Sequence, residues 1–113
     1  MNNREFNKLK NELLDECQSI MDAKQPEYTN KNIDVLYNFK STGNHIGIKP
    51  AEVWAVFFHK HIQAILSHSN NPDMPQAEPI ESRYADAINY LFLGYALMND
   101  RPKKDIISGT EWY

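Results

Sequence analysis

At 113 residues the chain has room for one domain built on one core. Acids and bases are mixed along it to a net charge of -3, and no basic tract interleaves with aromatics, which argues against duplex nucleic acid as a partner. A single cysteine excludes an internal disulfide framework. A local cluster of bases remains enough to hold one phosphorylated small molecule.

The first element is read from apolar residues at Phe6, Leu9, Leu13, Cys17 and Ile20, with Leu14 and Met21 beside them. Steps of three and four describe one helical stripe. Asn2 or Asn3 can cap its start, and Pro26 predicts an end near Lys24, because the residue before a proline avoids helical dihedrals. Cys17 lies on the stripe and is expected to be a buried, inert thiol rather than a nucleophile. Gln25 to Asn32 reads as a polar loop.

A shorter helix is expected from about Ile33 into the low forties, burying Ile33, Leu36 and Phe39 or Tyr37, with a break over Gly43 to Gly47. Pro50 suits the first position of the third helix. Two adjacent rows follow it, Val53, Phe57, His61, Ile65 and Trp54, Phe58, Ile62, Leu66, making a wide apolar face that predicts packing against a core. A loop is expected from Ser67.

Pro79 opens the fourth helix, which should run to about Asp100. Ile80, Tyr84, Ala87, Ile88, Leu91, Tyr95 and Met98 make one stripe. The reverse side is polar at first (Ser82, Arg83, Asp86, Asn89) and then apolar (Tyr90, Leu93, Leu97). A helix apolar on both sides calls for cover on both sides. Four helices can hardly supply it, so a homodimer or higher homo-oligomer is expected. The domain is placed at residues 1–100. The tail, 101–113, holds Ile106, Ile107, Trp112 and Tyr113 and is expected to dock or to fray.

The most apolar stretch, Leu91 to Met98, is far shorter than the roughly 20 residues a membrane-spanning helix needs. The polar start, Met1 to Lys10, lacks the apolar core of a signal peptide. A cytoplasmic chain with no membrane partner is expected.

The fourth helix carries the most informative chemistry. Asp86 shares a side with Arg83, Asn89, Tyr90 and Leu93, and Arg83 is spaced to pair with it. The alternatives are an ordinary ion pair or a polar pocket in which Asp86 holds a metal or a ligand and Asn89 and Tyr90 add hydrogen bonds. Glu81 lies about 140° around the helix from Asp86, so an ion shared between them would need ligands from other helices. His61 sits in the apolar stripe, where a hydrogen-bonded core histidine is the expectation. His59 lies at the stripe's edge, Lys60 points away from it, and His68 falls in the expected loop. Lys24, Glu27 and Tyr28 gather charge and a ring beside the first loop. There is no Gly-rich phosphate loop and no Cys/His metal spacing.

Lys24-Gln25-Pro26-Glu27-Tyr28, Asn38-Phe39, His59-Lys60-His61, and Glu78-Pro79-Ile80-Glu81 through Asp86-Ala87-Ile88-Asn89-Tyr90 together resemble the phage-enriched MazG-like group known as the nucleotide modification associated domain. The resemblance covers roughly residues 5 to 100. It implies an all-α bundle of four main helices, completed by oligomerisation and related to the nucleoside triphosphate pyrophosphohydrolases. A phage-encoded member would act in the host cytoplasm. Carried over, Glu81 and Asp86 would be catalytic metal ligands for Mg²⁺, with metal-assisted attack of water on a nucleotide. Asn89 and Tyr90 would support the pocket, Lys60 would face phosphate, and Glu27 would stand in for a loop aspartate.

The chain departs from that pattern at His59, where the group has Asp, and at Arg83, where the enzymes place a metal-binding Glu. An arginine there opposes a cation and can pair with phosphate instead. Two functional expectations result. One is a Mg²⁺-dependent nucleotide pyrophosphohydrolase. The other is a non-catalytic binder that sequesters a phosphorylated, for example signalling, nucleotide through Lys24, Lys60, Arg83 and His59, with Tyr28 or Trp54 stacking on the base. A third possibility is an interaction module built on the aromatic tail.

Overall fold

The computed structural model describes residues 1–28 and 34–101, and among them the chain is all-α. Four helices follow in order: α1 (Asn3–Tyr28), α2 (Tyr37–Ile46), α3 (Pro50–Asn70) and α4 (Ile80–Asp100). The central element is α4, which packs on α1 and on α3, while α2 packs on α3. None of these helices is long and apolar enough to cross a membrane. The expectations for Ile33 and for most of the tail, including Ile106, Ile107, Trp112 and Tyr113, lie outside the described residues.

The start of α1 is capped reciprocally. The Glu5 N–H donates to Asn2 Oδ1 at 2.8 Å, and the Asn2 N–H donates to Glu5 Oε2 at 3.3 Å. This satisfies donors that the first turn leaves unpaired. The helix does not stop near Lys24 but continues through Pro26 to Tyr28. A proline so close to the C-terminal end removes only a bond near the helix terminus. That leaves the helix free to carry Lys24 across to α4.

The second helix also differs from expectation. Gly43 does not break it but lies buried inside it, where a Cβ would sit 2.6 Å from the Ile48 carbonyl oxygen. Termination falls to Gly47, whose φ of 78° is the left-handed cap that glycine adopts without steric cost. Its N–H donates to the Gly43 carbonyl at 2.9 Å. The chain then folds back tightly, and Pro50 opens α3 as the sequence predicts. Glu52 accepts the Lys49 N–H at 3.0 Å, and α3 runs one turn beyond Ser67 to Asn70.

Leu36, Phe39, Val53 and Leu97 form the buried core where α2, α3 and α4 meet. Trp54 locks α3 onto α4. Its indole N–H donates to the Tyr90 carbonyl at 2.7 Å, and its ring stacks on Phe58 with centroids 5.0 Å apart. The close approach requires Gly94, because a Cβ there would lie 2.4 Å from Trp54 Cζ2. Lys40 ties the corner of the bundle, donating to Asp34 Oδ2 at 2.7 Å and to Asp100 Oδ2. Burial works against its charge, yet the hydrogen bonds it donates to Asp100 and Asp34 outweigh that and hold the ammonium well above its usual pKa.

The face of α4 that is buried is the mixed one. Asp86, Asn89, Gly94 and Leu97 are buried, whereas Leu91, Tyr95 and Met98 on the apolar stripe are exposed. Among the described residues, cover is therefore missing from the C-terminal part of the stripe that hydrophobicity alone marks for the core, while Ala87 within it is buried. Cys17, in contrast, is buried as expected. Burial pushes its thiol pKa up, which suppresses the nucleophilic thiolate.

Gly94→Ala is expected to destabilise the fold by about 1–3 kcal/mol, because the indole must leave its slot. The check is a melting temperature several degrees lower by circular dichroism, with helicity retained below the transition.

Candidate functional site

The polar residues of α4 sit where α1, α3 and α4 converge. Asp86 is 7% exposed. A carboxylate at that depth needs compensation, and two neighbouring helices supply it. From α1, Lys24 Nζ donates to Asp86 Oδ1 at 3.3 Å. From α3, His61 Nδ1 lies 3.9 Å from Asp86 Oδ2. Arg83, spaced to pair with Asp86, turns instead to Glu78, with Nη1 3.5 Å from Oε1. The lysine, reaching from another helix, takes the place that spacing assigns to the arginine.

Asn89 and Tyr90 are both tied into the packing of the bundle. The buried Asn89 side chain donates from Nδ2 to the Cys17 carbonyl at 2.9 Å, fastening α4 to α1. The Tyr90 ring lies against His61, centroids 4.6 Å apart and tilted by 43°, and meets Phe39 edge-on at 6.1 Å. His61 is thus half core and half site. It packs on an aromatic ring as expected of a core histidine, but its polar edge faces the buried carboxylate. Its place on α3 beside two apolar rows masked that role, and only the approach of α4 reveals it.

Burial lowers the His61 pKa; Asp86 acts to raise it, while Lys60 and Lys24 lower it further. The imidazole is accordingly neutral at pH 7. Arg83 keeps one unspent group, since its buried Nε has no hydrogen-bond partner among the described residues. The buried Nδ1 of His68 is in the same condition, with its ring edge-on to Tyr84 at 6.2 Å. Such orphaned polar atoms are uncommon in native interiors.

Other expected site residues lie elsewhere. Glu81 is exposed, and it lines a different cavity, of about 490 Å³, between α1 and α4. Leu9, Leu13, Ile80 and Tyr84 share that cavity with Glu12, Glu16 and Glu81. Glu81 and Asp86 therefore do not meet. His59 and Lys60 are exposed on α3, and Glu27 is exposed near the end of α1. Tyr28 closes α1, and its side chain lies outside the described part. Trp54 is wedged between Phe58 and Gly94, so its ring is spent on packing. Among the described residues no group of three or more His, Cys, Asp or Glu side chains is arranged to hold a metal ion.

No protein-family model matches this chain, and neither do any curated protein or solved structure.

The His61 environment makes stability depend on pH with a definite sign. The unfolded histidine protonates near 6.5, while the folded one stays neutral to lower pH. The unfolded state therefore binds more protons in that interval, and its contribution to stability is lost as pH falls through 6.5. Denaturant midpoints at pH 8 and 5.5 are expected to fall more steeply for the unaltered chain than for His61→Gln.

Proposed function

We propose that the chain binds a phosphorylated nucleotide where α1, α3 and α4 converge and holds it without cleaving it. The observation that carries this reading is the state of the charges around Asp86. Its carboxylate is already engaged by Lys24, so a cation entering there would have to displace an ammonium group that the fold itself brings in. The Arg83 side chain is mostly buried and pairs with Glu78 through Nη1, but its Nε–H has no partner among the described residues. Planar guanidinium groups of this kind bind phosphate through paired, charge-assisted hydrogen bonds.

Lys24 supports the same reading, because its ammonium is partly exposed beside Asp86 and can contact an anion while keeping that pair. The separation of Glu81 from Asp86 gives less support to Mg²⁺-assisted hydrolysis, which would use both carboxylates around one phosphate.

Binding of nucleoside triphosphates and of cyclic nucleotides, followed by thermal shift and calorimetry in EDTA, tests the proposal. At least one is expected to raise the melting temperature without metal and to be recovered intact after denaturation. Arg83→Ala should weaken its binding tenfold or more, a loss of about 1.4 kcal/mol or greater. No shift with any phosphorylated nucleotide would overturn the binding site. Mg²⁺-dependent release of pyrophosphate, abolished by Asp86→Ala, would establish the hydrolase in its place.

A further inference from the structure

The outer stripe of α4 is a long apolar surface, half-buried at Ile80, Tyr84 and Ile88 and open from Leu91 onward among the described residues. Ile80, Tyr84, Ile88, Leu91, Tyr95 and Met98 recur at steps of four, four, three, four and three, along a helix of 21 residues. Between Glu81 and Asp100 the only charged residues of α4 are Arg83 and Asp86, and neither lies on the stripe. Leu91 is 55% exposed, Tyr95 75% and Met98 43%. Phe92 on one flank, with Phe6 and Leu9 on the neighbouring α1, is exposed to 58%, 52% and 53%.

We propose that this face pairs with the same face of a second copy of the chain about a two-fold axis, seating Tyr95 of each subunit in the α1–α4 cavity of the other.

Three features select a second copy over other occupants. The first is the spacing, which is nearly the same read in either direction. Two antiparallel copies of α4, crossing beside Asn89 and Tyr90, set Ile88 opposite Leu91, Tyr84 opposite Tyr95 and Ile80 opposite Met98. A two-fold interface demands this self-complementarity. The second is shape. Tyr84, the residue opposite Tyr95, lines the cavity of about 490 Å³ with Leu9, Leu13 and Ile80, so the most exposed ring of the stripe meets the hollow able to receive it. The carboxylates of Glu12, Glu16 and Glu81 line the same cavity and can accept the phenolic O–H of an incoming tyrosine.

The third is area. The six exposed side chains present roughly 600–700 Å² per subunit, at about 200 Å² for a large side chain. That approaches the ~800 Å² per partner of a standard stable interface. Those three glutamates also disfavour an anionic lipid surface as the occupant.

The mass of the full chain in solution, measured by light scattering at micromolar concentrations, is expected to be twice 13.2 kDa. Leu91→Glu, at the middle of the stripe, should return it to 13.2 kDa with helicity retained. Val56→Glu, at an α3 residue that is 66% exposed, should leave the doubled mass unchanged. The register has its own test, which needs no destabilising charge. Ile88→Cys/Leu91→Cys should form intermolecular disulfides under mild oxidation far more readily than either single variant.

A monomeric parent chain would overturn the proposal. So would a Leu91→Glu chain that keeps the doubled mass. Should Leu91→Glu fail to fold, cross-linking decides: equal yields from the single and double variants would reject the antiparallel pairing. None of these outcomes depends on whether a nucleotide binds.

Discussion

The carboxylate of Asp86 is buried in the middle of the central helix, and the arrangement of its neighbours follows from that burial. A carboxylate removed from water needs a positive or hydrogen-bonding partner. Lys24 meets the need from α1, and His61 faces it from α3. Asn89, one turn further along α4, donates to the α1 backbone at Cys17. Polar contacts thus set how α1 sits on α4, while Trp54 and Gly94 set the approach of α3. An apolar helix pair can slide by a turn at modest cost. A half-buried ion pair and a buried amide bond resist such a slide, because a lost bond leaves the buried carboxylate or amide unsatisfied.

The same constraint links the fold to its chemistry. Because the mixed face of α4 is turned inward, its acid is committed to a lysine and its arginine is held at the edge with a donor in reserve. A neutral imidazole lies between the acid and an aromatic ring. The proposed anion site rests on this arrangement of charges. Turning that face inward also leaves Leu91, Tyr95 and Met98 exposed, so the candidate site on one side of α4 and the apolar surface on the other, open among the described residues, have one cause.

Much of this was legible along the chain. The start of α3 at Pro50, the span of α4 after Pro79 and the burial of Cys17 follow from capping rules and helical spacing, which depend on neighbours in sequence. The site was legible as a set of residue types, with Asp86, Asn89 and Tyr90 on one side of one helix and Lys24 marked separately. Partnership was not. Spacing pairs Asp86 with Arg83, but the lysine 62 positions away along the chain takes the carboxylate. Nor could spacing show that the histidine among apolar residues faces the acid.

Local rules determined where helices begin, which residues can share a face, and that α4 has more apolar surface than one contact can cover. Tertiary structure decided which face goes in. It carried α1 past Pro26 and put the turn at Gly47 rather than Gly43, because the chain passes too close to Gly43 for any side chain. It also gave Glu81 and Asp86, already about 140° apart around one helix, separate environments. The choice of face has a physical reason: hydrophobicity and spacing rank only the faces of an isolated helix. Burial of a helix face is chosen by the partners that arrive from elsewhere in the chain to satisfy its polar groups.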